Sequence, residues 1–384
     1  MTTPTTTMQQ RLAATRARMQ TAKLDALLVS TPENRYYLTG FAGHDDGQDS
    51  AGRVVITADR VTLLTDARYA EQAVAETAGV EVRDARGDLG QLVAAVLGDA
   101  GWAPGTGDAP LPQLGIEARH LTVALQRAIM QAGQARYTVV ASEDIVEPLR
   151  EVKDAQEIDF TRRATEITCQ TFEHLRDFLR QPQLTERAVA TEILATMLRL
   201  GADALAFAPI VAGGANGARP HAMPSDRELQ PHEPIIIDMG ARYRGYCADM
   251  TRTVFLEDAP PLWRERYAHV LAAKDACERG IRAGLPSRAA DALARDVLVA
   301  AGLGPFYLHG TGHGTGLEIH EAPRLSAFAG PDETLPAGSI ITIEPGVYFS
   351  GEGGIRIENA GVVRADGCEI LTFAPTDIDA MVLR

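Results

Sequence analysis

The chain has 384 residues, too many for most single hydrophobic cores, so two domains are the default expectation. It carries 37 basic and 51 acidic residues, a net charge of −14, which repels phosphate backbones and argues against nucleic acid as a partner. No apolar run is long enough to span a bilayer, and the polar start MTTPTTTMQQ lacks the apolar core of a signal peptide. The expectation is a cytoplasmic protein with a frayed N-terminal tail and no membrane partner. Its four cysteines, Cys169, Cys247, Cys277 and Cys368, show no CxxC spacing, so they read as reduced, mostly buried thiols.

Residues 8–140 read as alternating helix and strand, a small α/β domain. Arg11 to Lys23 is amphipathic and helical, DALLVS (25–30) is a short apolar strand, and TPEN after it is turn-like. Strands are expected at RVVITA (53–58) and VTLLTD (61–66), a helix at ARYAEQAVAETAG, and a loop at the Pro/Gly-rich 103–115. The strand LGIEA, a helix from about Leu121 to Ala132 and the strand YTVVA follow. A second unit is expected to begin at Glu147, giving domains 1–146 and 147–384. EPLREVKDAQEIDFTRRATEITCQTFEHLRDFLR has helical spacing over many turns, Pro182 ends it, and Thr185 caps a further helix that stops at Gly201.

An internal repeat follows. LTERAVATEILATMLRLGADA (184–204) resembles LPSRAADALARDVLVAAGLGP (285–305) at an offset of 101 residues. Both copies follow a long helix and precede a strand-rich stretch. The simplest account is a duplicated helix-helix-strand unit about a pseudo-twofold axis, with a site where strands of both halves converge.

Five residues fit such a site: Asp238 and Asp249 from the first copy, and His313, Glu344 and Glu358 from the second. The carboxylates sit in IIIDMGAR, GYCADMTR, TIEPGVY and GIRIEN, each next to an apolar strand, and His313 sits in HGTGHGTG, where glycines permit close backbone approach. Four carboxylates at one site are hard to reconcile with folding alone, and divalent cations would neutralise them. A hairpin with Tyr243 and Arg244 at its tip would set Asp238 directly opposite Asp249, their carboxylates on one face. Tyr-Arg is not a favoured turn pair, so a longer turn of the same symmetry is the other option. Cys247, two residues before Asp249, would share that face. One imidazole with four carboxylates is a hard, oxygen-rich donor set that suits manganese and tolerates cobalt, zinc or iron, and five ligands exceed the need of one ion.

These motifs resemble those of the pita-bread metallopeptidases of family M24: methionine aminopeptidase, Xaa-Pro aminopeptidase (aminopeptidase P) and Xaa-Pro dipeptidase (prolidase). The likeness covers most of residues 150–384, and LDALLVSTPENRYYLTGFAG and TLLTDARYAEQA resemble the creatinase/prolidase N-terminal domain, which favours the proline-directed branch. The resemblance implies an α/β N-terminal domain joined to an α+β pita-bread catalytic domain, two divalent metal ions and a homodimer. It implies that His221 and His320, and with them His309, contact an Xaa-Pro peptide and stabilise its tetrahedral intermediate. It also implies that Glu344 passes a proton from water to the leaving nitrogen, while a cation pair lowers the pKa of that water. Arg356, two residues before Glu358, is expected to orient Glu344 or to bind a substrate carboxylate.

Dipeptidase and aminopeptidase differ in whether the substrate's C-terminal end is gripped or left open. His221 and Arg356 are candidates for the grip, and Asp45, Asp46 or Arg53 in the departing segment 41–53 are candidates to close a neighbouring subunit's site. Prolidase is the first expectation and the aminopeptidase the second. A silent binding protein on this fold would have lost ligands, and a metal-free C–N hydrolase such as creatinase would have broken motifs; the intact set argues against both.

Overall fold

The computed structural model describes residues 4–45, 50–105 and 110–384. They form two compact units that part between Arg150 and Glu151.

The first unit is built on six strands: β1 (Ala26–Val29), β2 (Arg53–Ile56), β3 (Val61–Thr65), β4 (Glu81–Asp84), β5 (Gln113–Glu117) and β6 (Thr138–Ser142). Their order is β4-β3-β2-β1-β5-β6, with β1, β5 and β6 mutually parallel. Helices α1 (Pro4–Thr21), α2 (Pro32–Thr39), α3 (Ala70–Glu76), α4 (Leu89–Asp99), α5 (Val123–Ala132) and α6 (Glu147–Arg150) complete the α/β unit. Two expectations are corrected. The N-terminal segment is helical from Pro4. TPEN opens α2 and is not a turn, because Thr31 holds extended N-cap geometry and Pro32 fits the first helical position, where no N–H is needed. Asp45 faces inward, accepting from Arg35 Nη1 at 2.9 Å and Ala51 N at 2.6 Å, bonds that hold its own loop. Asp46 lies outside the described residues.

In the second unit the long helical stretch is interrupted. Residues 151–154 are not helical, and Asp154 with Glu157 forms a capping box that starts α7 (Ala155–Phe178) afresh. The Thr185 hydroxyl accepts from Ala188 N and caps α8 (Glu186–Arg199). After α8 come β7 (Ala204–Leu205), β8 (Ile210–Gly213), β9 (Ile235–Met239), β10 (Ala241–Tyr243), β11 (Tyr246–Cys247) and β12 (Met250–Leu256). Helices α9 (Pro261–Gly280) and α10 (Ser287–Ala300) then precede β13 (Gly312–Gly314), β14 (Glu321–Leu325), β15 (Ile340–Ile343), β16 (Gly346–Phe349), β17 (Gly353–Arg356), β18 (Asn359–Val363) and β19 (Cys368–Ile370). A tail of α11 (Ile378–Met381) and β20 (Val382–Leu383) returns to β12.

The duplication is visible in the fold. The ends of α8 and α10 differ by the same 101 residues as the sequence repeat, and Gly201 and Gly302 follow them with φ of 96° and 74°. Antiparallel β8-β9-β12 in one half corresponds to β13-β15-β18 in the other. Isolated bridges Thr185–Glu228 and Pro286–Thr334 mark the same point in each. One hydrophobic core runs through both halves, including Phe172, Ile193, Ile237, Val254, Leu298 and Ile343.

The hairpin register differs from expectation. Its tip is Arg244-Gly245, with φ of 50° and 80°, and β10 pairs β11 as Tyr243 with Tyr246. A two-residue turn matching strand twist needs positive φ at both central positions, which Gly245 meets without strain and Arg244 does not. Asp238 therefore faces Thr251, and Asp249, two residues before Thr251, lies diagonal to it on the same side.

Candidate metal centre

The equivalent ends of the two half-sheets carry the acidic groups. Asp238 lies near the end of β9 and Glu344 just after β15; Asp249 lies just before β12 and Glu358 just before β18. His313 is the middle residue of β13. Its neighbours must be glycine: a Cβ on Gly312 would lie 2.0 Å from Thr342 O, and one on Gly314 2.0 Å from Ala322 O. The structure brings all five together. Ligand atoms of Asp238, Asp249 and Glu358 lie within 4.8 Å of one another, and His313 Nε2 lies 3.6 Å from Asp249 Oδ2 and 3.5 Å from Glu344 Oε1. Those last distances are long for hydrogen bonds. They suit atoms that would each reach a shared cation at about 2.0–2.2 Å.

The hydrogen bonds show which oxygens belong to the fold. Arg356 Nη2 donates to Asp238 Oδ2 at 2.6 Å, and the Thr251 hydroxyl donates to Glu358 Oε2 at 2.7 Å. Asp238 Oδ1 and Glu358 Oε1 are buried with no partner. Such groups are costly in a folded protein unless something outside the chain completes them. Burial, then the neighbouring carboxylates, pushes Asp249 and Glu358 well above the usual carboxylate range. Burial pushes Glu344 up to about 7. Burial lowers His313 and His309 to about 4, which leaves each imidazole neutral and, in His313, able to ligate. The donor set fits divalent metal.

The cleft above these groups, about 700 Å³, is lined by all five and by His221, His309, His320 and Arg356. The His320 ring lies 4.4 Å from that of His313, and partial desolvation, then His221 and Arg324, lowers its pKa. Both His309 nitrogens are engaged, Nδ1 with Gly310 O at 2.7 Å and Nε2 with the Tyr348 hydroxyl at 2.9 Å. Arg356 donates to Asp238, Thr251, Tyr348 and Pro220 O, and to neither oxygen of Glu344. Cys247 is buried with Sγ 3.7 Å from Leu317 O, and Cys169 and Cys277 are also buried free thiols. Three residues of the site went unremarked in sequence: Thr251, Tyr348 and Arg324. Thr251 was accessible in principle, standing two residues beyond Asp249 on its face. The guanidinium of Arg324, in the cleft wall, has no hydrogen-bond or ion-pair partner among the described residues.

A duplicated unit whose buried carboxylates are completed only in part by their own chain marks a metal-binding protein. Within that class the chain belongs to metallopeptidase family M24, matched over residues 159–365, and residues 11–152 match the creatinase/prolidase N-terminal domain. A peptidase of Bacillus subtilis (strain 168) is 34% identical over 355 residues, 92% of this chain and 95% of its own length. The structure of an Xaa-Pro dipeptidase from Bacillus anthracis superposes with a TM-score of 0.88 at 34% identity, covering 98% of this chain and 100% of that one. That of an X-Pro aminopeptidase from Thermotoga maritima MSB8 gives 0.83 at 32% identity, covering 95% and 99%. The protein is a metallopeptidase with the pita-bread fold. No helix among the described residues is long and apolar enough to cross a membrane.

Proposed function

We propose that the protein is an Xaa-Pro dipeptidase (prolidase) using two divalent cations, with manganese the first candidate and cobalt, zinc or iron also suited to the donors. The observation that carries the metal reading is the bare, buried oxygen on each of Asp238 and Glu358, facing a cleft shared with Asp249, His313 and Glu344. These five side chains would hold the cations. When bound, the cations supply Lewis acidity and ready a water for attack near neutral pH.

The remaining chemistry falls to the chain. Glu344 takes the proton at its carboxylate and delivers it to the leaving nitrogen. That delivery matters for an Xaa-Pro bond, whose nitrogen is a tertiary amide without a hydrogen. His320 and His221 donate to the carbonyl oxygen as it gains charge. Arg356 fixes Asp238, and His309, through its bonds to Gly310 and Tyr348, shapes the wall against the proline ring.

Arg324 favours the dipeptidase over the aminopeptidase, since an unpaired guanidinium in the cleft wall suits the carboxylate of a two-residue substrate. The size of the cleft, about 700 Å³, favours the aminopeptidase on longer peptides as second reading. Metal-stripped protein assayed on Ala-Pro and Ala-Pro-Ala, with manganese, cobalt and zinc returned separately, separates them. Manganese is expected to restore Ala-Pro hydrolysis, and Arg324→Ala to raise KM for Ala-Pro by about tenfold or more, the worth of one charge-assisted bond. Faster turnover of Ala-Pro-Ala selects the aminopeptidase, and no recovery with any metal ends both readings. The same reading includes a homodimer and a cytoplasmic setting, checked by sedimentation and cell fractionation.

A further inference from the structure

Among the buried carboxylates outside the metal centre are two, one in each half of the duplicated unit, that share a feature. Both are aimed at the segments that carry the cleft histidines. Glu186, the first residue of α8, is fully buried. Its Oε1 accepts from Gly213 N at 2.9 Å, and its Oε2 accepts from Asn216 Nδ2 at 2.8 Å, Ser225 N at 2.9 Å and Ser225 Oγ at 2.6 Å. Those partners bracket His221 on both sides along the chain. The loop between them has little regular structure beyond one 3-10 turn at Gly214–Ala218, so these bonds fix its path.

Asp291, within α10, is 1% exposed. Its Oδ1 accepts from Thr311 N and Thr311 Oγ1, each at 2.9 Å, and its Oδ2 accepts from Arg295 Nε at 2.6 Å. Arg295 Nη2 donates onward to His309 O at 2.8 Å. Thr311 O accepts from Glu344 N at 2.8 Å. Asp291 thus grips the segment from His309 to Thr311, two residues before His313, and, through Thr311, the backbone of Glu344.

The two carboxylates are not copies of one position. At the repeat offset Glu186 corresponds to Ser287, whose buried hydroxyl has no partner, and Asp291 corresponds to Ala190. The halves have kept a similar device from different helix positions. Burying a carboxylate is unfavourable unless its oxygens are hydrogen-bonded, and an apolar residue would pack these helices more cheaply. Apart from the Arg295 pair within α10, the bonds these oxygens make end in or next to the cleft segments, and those bonds are what the charges secure.

We propose that Glu186 and Asp291 are positioning residues with divided labour. Glu186 sets the His221 loop that meets substrate. Asp291 sets the His313 and Glu344 side that would hold the cations. This rests on the metallopeptidase reading above, and the experiment separates the two. Wild type, Glu186→Gln, Asp291→Asn and the milder Thr311→Val are compared in manganese affinity by calorimetry, in the cobalt(II) absorption spectrum, and in kcat and KM on Ala-Pro. Asp291→Asn is expected to weaken manganese binding by about 10–100-fold, as loss of an outer partner does, and to alter the cobalt spectrum. Thr311→Val is expected to change both in the same direction and by less. Glu186→Gln is expected to leave the manganese titration and the cobalt spectrum as in wild type while lowering kcat/KM about tenfold or more. Should Asp291→Asn fail to fold, Thr311→Val decides on the same readouts. The inference is overturned if the variants shift only the melting temperature, or if Glu186→Gln and Asp291→Asn weaken manganese alike. A wild type that binds no manganese and leaves Ala-Pro intact defeats the metallopeptidase reading and this inference with it. A wild type that does both while the variants match it defeats this inference alone.

Discussion

Both units bury a carboxylate at the end of a sheet strand, and they treat it in opposite ways. Glu117, the last residue of β5 in the first unit, accepts from the backbone N–H and hydroxyl of Ser30, from those of Thr31, and from Asn34 Nδ2, at 2.5–2.9 Å. Its charge is cancelled by donors that the fold supplies. Asp238 and Glu358 in the second unit each have one oxygen held and one buried bare. The lesson is that burial of an acidic group does not by itself mark a functional site. An unfilled acceptor beside other unfilled acceptors does, because such a group is completed from outside the chain, and a divalent cation completes several at once.

The comparison breaks most sharply on substitution. Asp249→Asn should reduce turnover by more than about 100-fold, since losing a ligand costs more than losing the outer partner of one. In metal-free protein the same change should raise the melting temperature, because Asp249 is buried among carboxylates that repel its charge. Glu117→Gln should do the reverse. It should lower the stability of the first unit by about 1–3 kcal/mol, the cost of leaving buried donors poorly matched, and leave manganese affinity unchanged. An Ala-Pro assay with parallel thermal melts and metal titrations reads all four effects. If Asp249→Asn destabilises the metal-free protein as Glu117→Gln does, the distinction between the two kinds of carboxylate is lost.

A pH series sharpens the same contrast. Burial raises Glu344 from 4.5 to about 7, and raises Asp249 and Glu358 as well. The folded, metal-free protein therefore holds these protons more tightly than the unfolded chain. The stability they contribute is fully present below about 4.5 and is lost as pH rises through about 7. Metal-free melting temperatures should fall between pH 5 and pH 7.5. Saturating manganese should remove that decline, because the cation takes the place of the protons. A metal-free melting temperature that climbs steadily to pH 7.5 would show that these groups are not strained by their mutual charge.

Much of this arrangement was legible in the sequence, and the illegible parts share a cause. Asp238, Asp249, His313, Glu344 and Glu358 announce themselves because each is a polar residue against an apolar strand or inside a glycine run, a purely local signal. The duplication is equally plain from the 101-residue offset. The turn-like TPEN failed because proline and asparagine serve helix starts as well as turns, and only the packing of α2 decides. The break before α7 was hidden because helical spacing continues through Glu151–Asp154 while the capping box competes with it. Tyr348, Glu186 and Asp291 gave no signal, since their roles come from partners far away in the chain, and Arg324 gave none because only the folded cleft wall marks it out. Tyr348 meets His309, 39 residues distant, and Glu186 meets Ser225, likewise 39 residues distant. An Asp in a helix that grips a strand looks like any solvated Asp until the strand is placed.

The smallest effect belongs to the turn that displaced the expected register. Arg244 and Gly245 both hold positive φ between the two aspartates of the first half. A side chain in that region costs about 1–2 kcal/mol, so Gly245→Ala should destabilise by about that much, and Arg244→Asn, with a residue that tolerates the region, should stabilise by a few tenths of that. Neither should move Asp238 or Asp249. Their placement is fixed independently by the five ladder pairs of β9 with β12, from Met239–Met250 to Ile235–Val254. Slipping that ladder by one residue would turn buried Ile237 and Val254 away from the core. The turn is thus a folding feature set between ligand residues, and its variants should change melting temperature while leaving manganese affinity as it was. A Gly245→Ala protein that keeps its stability but binds manganese more weakly would mean that the turn, and not the ladder, sets where the aspartates stand.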